Sequence, residues 1–295
     1  MTQPYHYPPG APCWVETLQP DPYIAARFYG ALLGWQFDKP RRMPGDLDGQ
    51  YLIARIGGLA VAGIGQAPSS LPAAVWSTHI CVESIEETIT RTERARGAIL
   101  VGPLEAGSAG RQAVLADADG VAFCIWQPGD RAGAQLVNEP GSWAMSSLHT
   151  PSSERAEAFY ATVFGWKLEA QPHARTALWR LPGYVGGPKG QPMPRDVVAV
   201  MTLLEDPTEI PPHWAVNFRV EDVDVVAKQA TDLGGTLVMP PVTTPEFRSA
   251  VIADPSSGVI AVSAPAEPLT RGSRASEPVA ARRSSGALDS DVGGL

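Results

Sequence analysis

The sequence predicts an α+β protein: four βαβββ units, paired into two cup-shaped domains. FYGALLGW at Phe28–Trp35 returns as FYATVFGW at Phe159–Trp166, so one helix is written twice. WSTHICVESIEE in the first half has a counterpart in HWAVNFRVEDVDVV in the second, each a strand-like run leading into a helix. About three apolar runs separated by turn residues then follow. A unit of this kind cannot cover its own sheet face, so units must pair, and two paired sheets curve into a cup.

The elements follow in order along the chain. CWVETLQ reads as the first strand, and Asp21-Pro22 then supplies a cap and a pre-set first turn for a helix that Gly34 ends before Trp35. YLIARI is strand-like, and GGLAVAGIG at Gly57–Gly65 is a turn and a further strand. Its glycine spacing is wrong for a dinucleotide loop and no helix follows it. Ser84 and Glu87 form a capping box for the second helix, which Gly97 ends; AILV, RQAVLAD and VAFCIWQ are the strands after it. WAMSSLHT opens the third unit, with Pro151-Ser152-Ser153 before the repeated helix. Asp222 caps the fourth helix, Gly234-Gly235 ends it, and TLVM, RSAVIAD and GVIAVS close the fold. These signals divide the chain into an N-terminal arm (1–11), a first domain (12–128), a polar linker (129–141), a second domain (142–265) and a Ser/Gly/Ala-rich tail (266–295) expected to be disordered.

Bulk composition narrows the function classes. A net charge of −8 without a basic patch argues against nucleic-acid and anionic-membrane partners. No apolar run is long enough to span a bilayer and the opening residues lack a signal-peptide pattern, so a cytoplasmic location is expected. Three scattered cysteines, Cys13, Cys81 and Cys124, are not a disulfide framework.

The units CWVETLQPDPYIAARFYGALLGW and WAMSSLHTPSSERAEAFYATVFGW, together with VESIEE, VEDVDVV, DADGVAF and DPSSGVI, resemble the vicinal oxygen chelate superfamily over residues 12–265. That superfamily includes glyoxalases, extradiol dioxygenases and bleomycin-type resistance proteins. The resemblance implies cup-shaped, glyoxalase-like domains with the repeated helix packed behind each cup, which makes Phe28, Tyr29, Phe159 and Tyr160 core residues. In metal-using members, ligands come from the first strands of paired units and from a late Glu. Aligned to this chain, those positions fall on Trp14, Ser77 and Cys124 in the first half and on Met145, Ala215 and Ala261 in the second. None is His or Glu, so no metal and no other cofactor is implied.

Side chains two apart share a sheet face. The first cup is thereby lined by Trp14, Glu16, Ser77, His79, Cys124 and Trp126, and the second by Met145, Ser147, His149, Asn217 and Arg219. Aromatic and Met surface with a few polar groups suits a small-molecule pocket. Trp14 and Trp126 serve equally well as cup-filling core, Met145 as packing, His149 and His213 as strand-end and loop residues, and Trp76 and Trp214 have the opposite parity, facing the helices. Glu16 with His79 reads as a hydrogen-bonded pair, a proton-transfer pair or a remnant metal site. Three functions compete: a metal-independent binder of an aromatic or hydrophobic natural product or antibiotic, for resistance, sequestration or biosynthetic assistance; a tailoring enzyme that uses Glu16 and His79 for cyclisation, isomerisation or assisted hydroxylation; and a structural module. A metal-dependent lyase or dioxygenase ranks below these, and a homodimer stays open.

Overall fold

The computed structural model describes residues 7–45, 47–71, 73–170, 175–186 and 193–266. Residues 267–295 of the expected tail, the first six of the arm and most of the rim loop Gln171–Arg175 lie outside the described residues. The first half comprises β1 (Pro12–Gln19), α1 (Pro22–Leu33), β2 (Gln36–Phe37), β3 (Arg41–Arg42), β4 (Gln50–Ile56), β5 (Leu59–Gln66), β6 (Val75–Cys81), α2 (Ile85–Arg94), β7 (Ala98–Glu105), β8 (Gly110–Ala116) and β9 (Ala122–Pro128). The second half comprises β10 (Trp143–Thr150), α3 (Ser153–Phe164), β11 (Lys167–Ala170), β12 (Thr176–Arg180), β13 (Val197–Leu203), β14 (His213–Arg219), α4 (Val223–Asp232), β15 (Thr236–Thr243), β16 (Phe247–Ala253) and β17 (Val259–Pro265).

Each half makes one mixed sheet, in the order β2-β4-β5-β1-β6-β9-β8-β7 and β11-β12-β13-β10-β14-β17-β16-β15, with β3 paired to β4. The two sheets are therefore one plan used twice, and each curves into a cup. No helix among the described residues is long and apolar enough to cross a membrane.

The helix signals act as local chemistry dictates. The Asp21 carboxylate accepts the backbone N–H groups of Tyr23 and Ile24, and Ser152 does the same for Arg155, while Gly34 and Gly165 end α1 and α3 in the left-handed region at φ 74° and 73°. The end of α2 differs from expectation. Arg96, not Gly97, takes the left-handed conformation, at φ 67°. Gly97 is needed for close approach instead, because a Cβ there would meet the Phe159 ring at 2.8 Å; likewise a Cβ at Gly235 would meet the Phe28 ring at 3.0 Å.

That contact explains the repeated phrase, because its residues join the two halves. Phe28 on α1 packs on Gly235 after α4, and Phe159 on α3 packs on Gly97 after α2. The Tyr29 hydroxyl donates to Asp254 at 2.8 Å and accepts from Trp76 Nε1 at 3.0 Å; Tyr160 repeats this with Asp117 and Trp214, at 3.1 and 2.9 Å. Trp35 and Trp166 donate to the carbonyls of Gly141 and Gly10. Trp76 and Phe218 meet edge to face at 5.2 Å where the backs of β6 and β14 touch. The core thus lies between the sheets, with the buried faces of the helices packed into it. Both cups open away from it.

Candidate functional site: two cups with different contents

The register places the candidate residues of the first cup. Trp14 on β1 lies opposite His79 on β6, which lies beside Cys124 on β9, so these three form one row across the sheet. Ser77 lies one row along, opposite Glu16. Glu16 Oε1 approaches His79 Nε2 at 3.2 Å, an ion-pair contact off the line of a hydrogen bond. The Tyr51 hydroxyl donates to Glu16 Oε2 at 2.6 Å and accepts from Trp14 Nε1 at 3.1 Å. Gly63, opposite Glu16 on β5, leaves the space that the Tyr51 hydroxyl occupies.

Glu16 and His79 are 5% and 1% exposed, so both have left water. Burial disfavours the charge on His79, yet Cys124 and Glu16 beside it outweigh burial and push its pKa up to about 10. Burial likewise opposes the charge on Glu16, but His79, Tyr51 and Arg131 together hold its pKa below the usual carboxylate value. Both shifts favour the charged forms, a carboxylate beside an imidazolium.

What covers this pair was not legible in the sequence. Arg131, from the segment expected to be a linker, lays its guanidinium 4.8 Å from the centres of both the Trp14 and Trp126 rings, and its carbonyl accepts Trp126 Nε1 at 2.9 Å. The cup is filled from within. What is left of it is a recess of about 330 Å³, lined by Arg41, Arg42, Tyr51, Glu105, Gln112 and Arg131.

In the second cup, Met145 lies opposite Asn217, which lies beside Ala261, and Ser147 lies opposite Ala215. Here a cavity of about 650 Å³ stays open. Met145, Ser147, Asn217 and Arg219 line it, together with Trp143, Leu178, Tyr184, Val200 and Phe247. Asn217 Nδ2 donates to Ser263 Oγ at 2.9 Å. Sequence reasoning missed Trp143, since a β-bulge breaks the alternation between it and Met145, and Leu178 and Phe247 sit on strands whose pairing only the fold supplies. His149 lies outside the cavity lining. It stacks on His213 at the strand end, ring centres 4.6 Å apart, and burial with the neighbouring imidazole lowers its pKa to about 4.

A family model described as a glyoxalase-like domain matches this chain twice, over residues 15–126 and 142–263. The chain belongs to the glyoxalase-like family. This glyoxalase-like protein is 31% identical over 268 residues to CFP32 of Mycobacterium tuberculosis, covering 88% of this chain and 97% of that one. It is 30% identical over 266 residues to the anthracycline biosynthesis protein DauV of a Streptomyces species, covering 84% and 91%. Among solved structures, the Mn(II)-bound glyoxalase from Novosphingobium aromaticivorans superposes with a TM-score of 0.58 at 15% identity, over 86% of this chain and 81% of that one. The 2,3-dioxygenase LapB from Pseudomonas sp. KL28 gives 0.57 at 12%, over 88% and 96%. At such identities these two matches show the shared fold alone.

The residues of this glyoxalase-like protein do not fit a metal centre of the His/Glu kind. The second cup offers amide, hydroxyl and thioether groups at Asn217, Ser147, Ser263 and Met145, which are poor replacements for imidazole and carboxylate. In the first, Tyr51 and His79 already engage the Glu16 carboxylate. Among the described residues no group of three or more His, Cys, Asp or Glu is placed to hold a metal.

Proposed function

We propose that the second cup binds a planar aromatic or hydrophobic small molecule, of the natural-product or antibiotic class, without a metal ion, in resistance, sequestration or biosynthetic assistance. The observation that carries this reading is the open cavity of about 650 Å³ with apolar walls and a few convergent polar groups, within the range of sites that hold drug-sized ligands. Trp143, Tyr184 and Phe247 contribute aromatic side chains to its wall, while Ser147, Asn217 and Arg219 contribute polar groups. Kinship with DauV, an anthracycline biosynthesis protein, makes fused-ring aromatics the first class to try.

The test is titration of the full chain with anthracyclines, followed by calorimetry and tryptophan fluorescence, with recovery of the ligand afterwards. Saturable binding of one ligand per chain and unchanged recovered ligand are expected. Absence of saturation up to the solubility limit would sink the reading.

One observation favours a tailoring enzyme as the second reading: Glu16 and His79 stand as opposite charges side by side on the concave face of the first cup. An acid and base so placed contribute roughly 100- to 10,000-fold to a proton-transfer step. A substrate would have to displace Arg131 to reach them. Chemically altered ligand, with turnover lost in Glu16→Gln and His79→Gln, would establish this reading in place of the first; turnover unchanged in both variants would remove the pair from any catalytic role.

A further inference from the structure

On the binding reading above, we infer that Arg219 selects ligands carrying an oxyanion, namely a carboxylate, a phenolate or an enolate, on the ring system held in the second cup. Arg219 ends β14 and lines the cavity. Its Nη1 donates to the Asn138 carbonyl at 3.1 Å, which uses one of its five donors. Its Nε is buried and, among the described residues, has no hydrogen-bond partner. Arg55, Arg111, Arg180 and Arg248 each face a carboxylate, whereas no ion pair to Arg219 forms among the described residues.

With one donor bound to the Asn138 carbonyl and no carboxylate partner among the described residues, the Arg219 guanidinium at the cavity wall keeps donors for an acceptor that arrives with the ligand. The neighbouring groups do not supply one. Asn217 and Ser263 are hydrogen-bonded to each other, at 2.9 and 3.1 Å. Among the described residues the cavity lining carries one carboxylate, the exposed Glu246. A planar guanidinium with parallel N–H donors suits a carboxylate or a pair of neighbouring oxygens better than a neutral carbonyl.

The experiment compares 2-naphthoate with 2-naphthamide, a neutral probe of nearly the same shape, by calorimetry on the full chain and on Arg219→Gln. The wild-type chain should bind the carboxylate at least about tenfold more tightly, because the charged pair is the stronger one, and Arg219→Gln should bring the ratio to near one. Raising the salt concentration should weaken naphthoate and leave naphthamide unchanged, a readout that needs no variant. Equal affinities in the wild type, or a ratio that survives Arg219→Gln in a folded variant, would overturn the role of Arg219 while leaving the binding reading in place. If neither probe nor any anthracycline saturates the protein, the binding reading falls and this inference with it.

Discussion

In the first cup Trp14, Glu16, Tyr51, His79 and Trp126 fill the concave face; at the corresponding sheet positions the second cup carries Met145, Ser147, Thr176, Asn217 and Ser263. The backbone plan is the same apart from the two-residue β3, which the second sheet lacks among the described residues. At these positions side-chain volume and charge differ. Five large or charged groups, covered by Arg131, turn one cup into protein interior, and their smaller polar or flexible replacements leave the other as a receptacle of about 650 Å³. A duplicated cup can therefore divide labour: one copy adds core, and the other is free to take a ligand.

The largest expected effect comes from giving the second cup the contents of the first. Ser263→Trp, which copies Trp126, should reduce ligand affinity by about 100-fold or more, equivalent to about 2.7 kcal/mol, with circular dichroism unchanged. Retained affinity would show that the ligand lies elsewhere. Next, Glu16→Gln leaves the imidazolium of His79 buried without its partner and should cost about 3–5 kcal/mol in denaturant unfolding while the affinity of the second cup stays the same.

Two smaller effects probe what the cups have in common. Tyr29→Phe and Tyr160→Phe each remove a hydroxyl that ties a helix to an Asp of the opposite half, leaving buried groups unpaired. Each should cost about 1–3 kcal/mol, with Tyr29→Phe the milder of the two, because Gln19 Nε2 still donates to the Asp254 oxygen. Arg131→Ala removes two ring contacts and should cost about 1–2 kcal/mol. Ligand stoichiometry should remain one, because the indoles and the Glu16–His79 pair still fill the first cup; a rise to two would mean that Arg131 alone keeps it shut.

The pH dependence is the finest probe of the contrast. Folding raises the pKa of His79 from 6.5 to about 10, so its stabilisation is complete below pH 6.5 and fades as pH rises towards 10. Folding lowers the pKa of Glu16 below 4.5, so its contribution is present above pH 4.5 and is lost as pH falls. The pair supports the fold most between these limits. The difference in melting temperature between the wild type and a Glu16→Gln, His79→Gln double variant should peak between pH 4.5 and 6.5 and shrink on either side. A flat difference would mean that the two groups are not a charged pair.

Much of the fold was legible in the sequence, because its signals are local. Asp21, Ser84, Ser152 and Asp222 cap their helices through bonds spanning two or three residues, and strand alternation put Trp14, Glu16 and His79 on one face and Met145, Ser147 and Asn217 on another. Those relations need no distant partner. Row alignment across strands was less accessible, since counting along β6 set Ser77 beside Trp14 where the register puts His79. His149 had the right parity, but its strand end carries it out of the cavity and onto His213.

By itself, then, the sequence determined four units, two cups, their capped helices and the side chains facing inward. The tertiary structure decided which cup is open. Tyr51 reaches Glu16 across 35 positions, Arg131 returns to Trp14 from the segment after β9, and Tyr29 finds Asp254 across 225 positions. Whether a concave face is filled depends on such contacts between distant segments, which the pattern of any single strand does not encode.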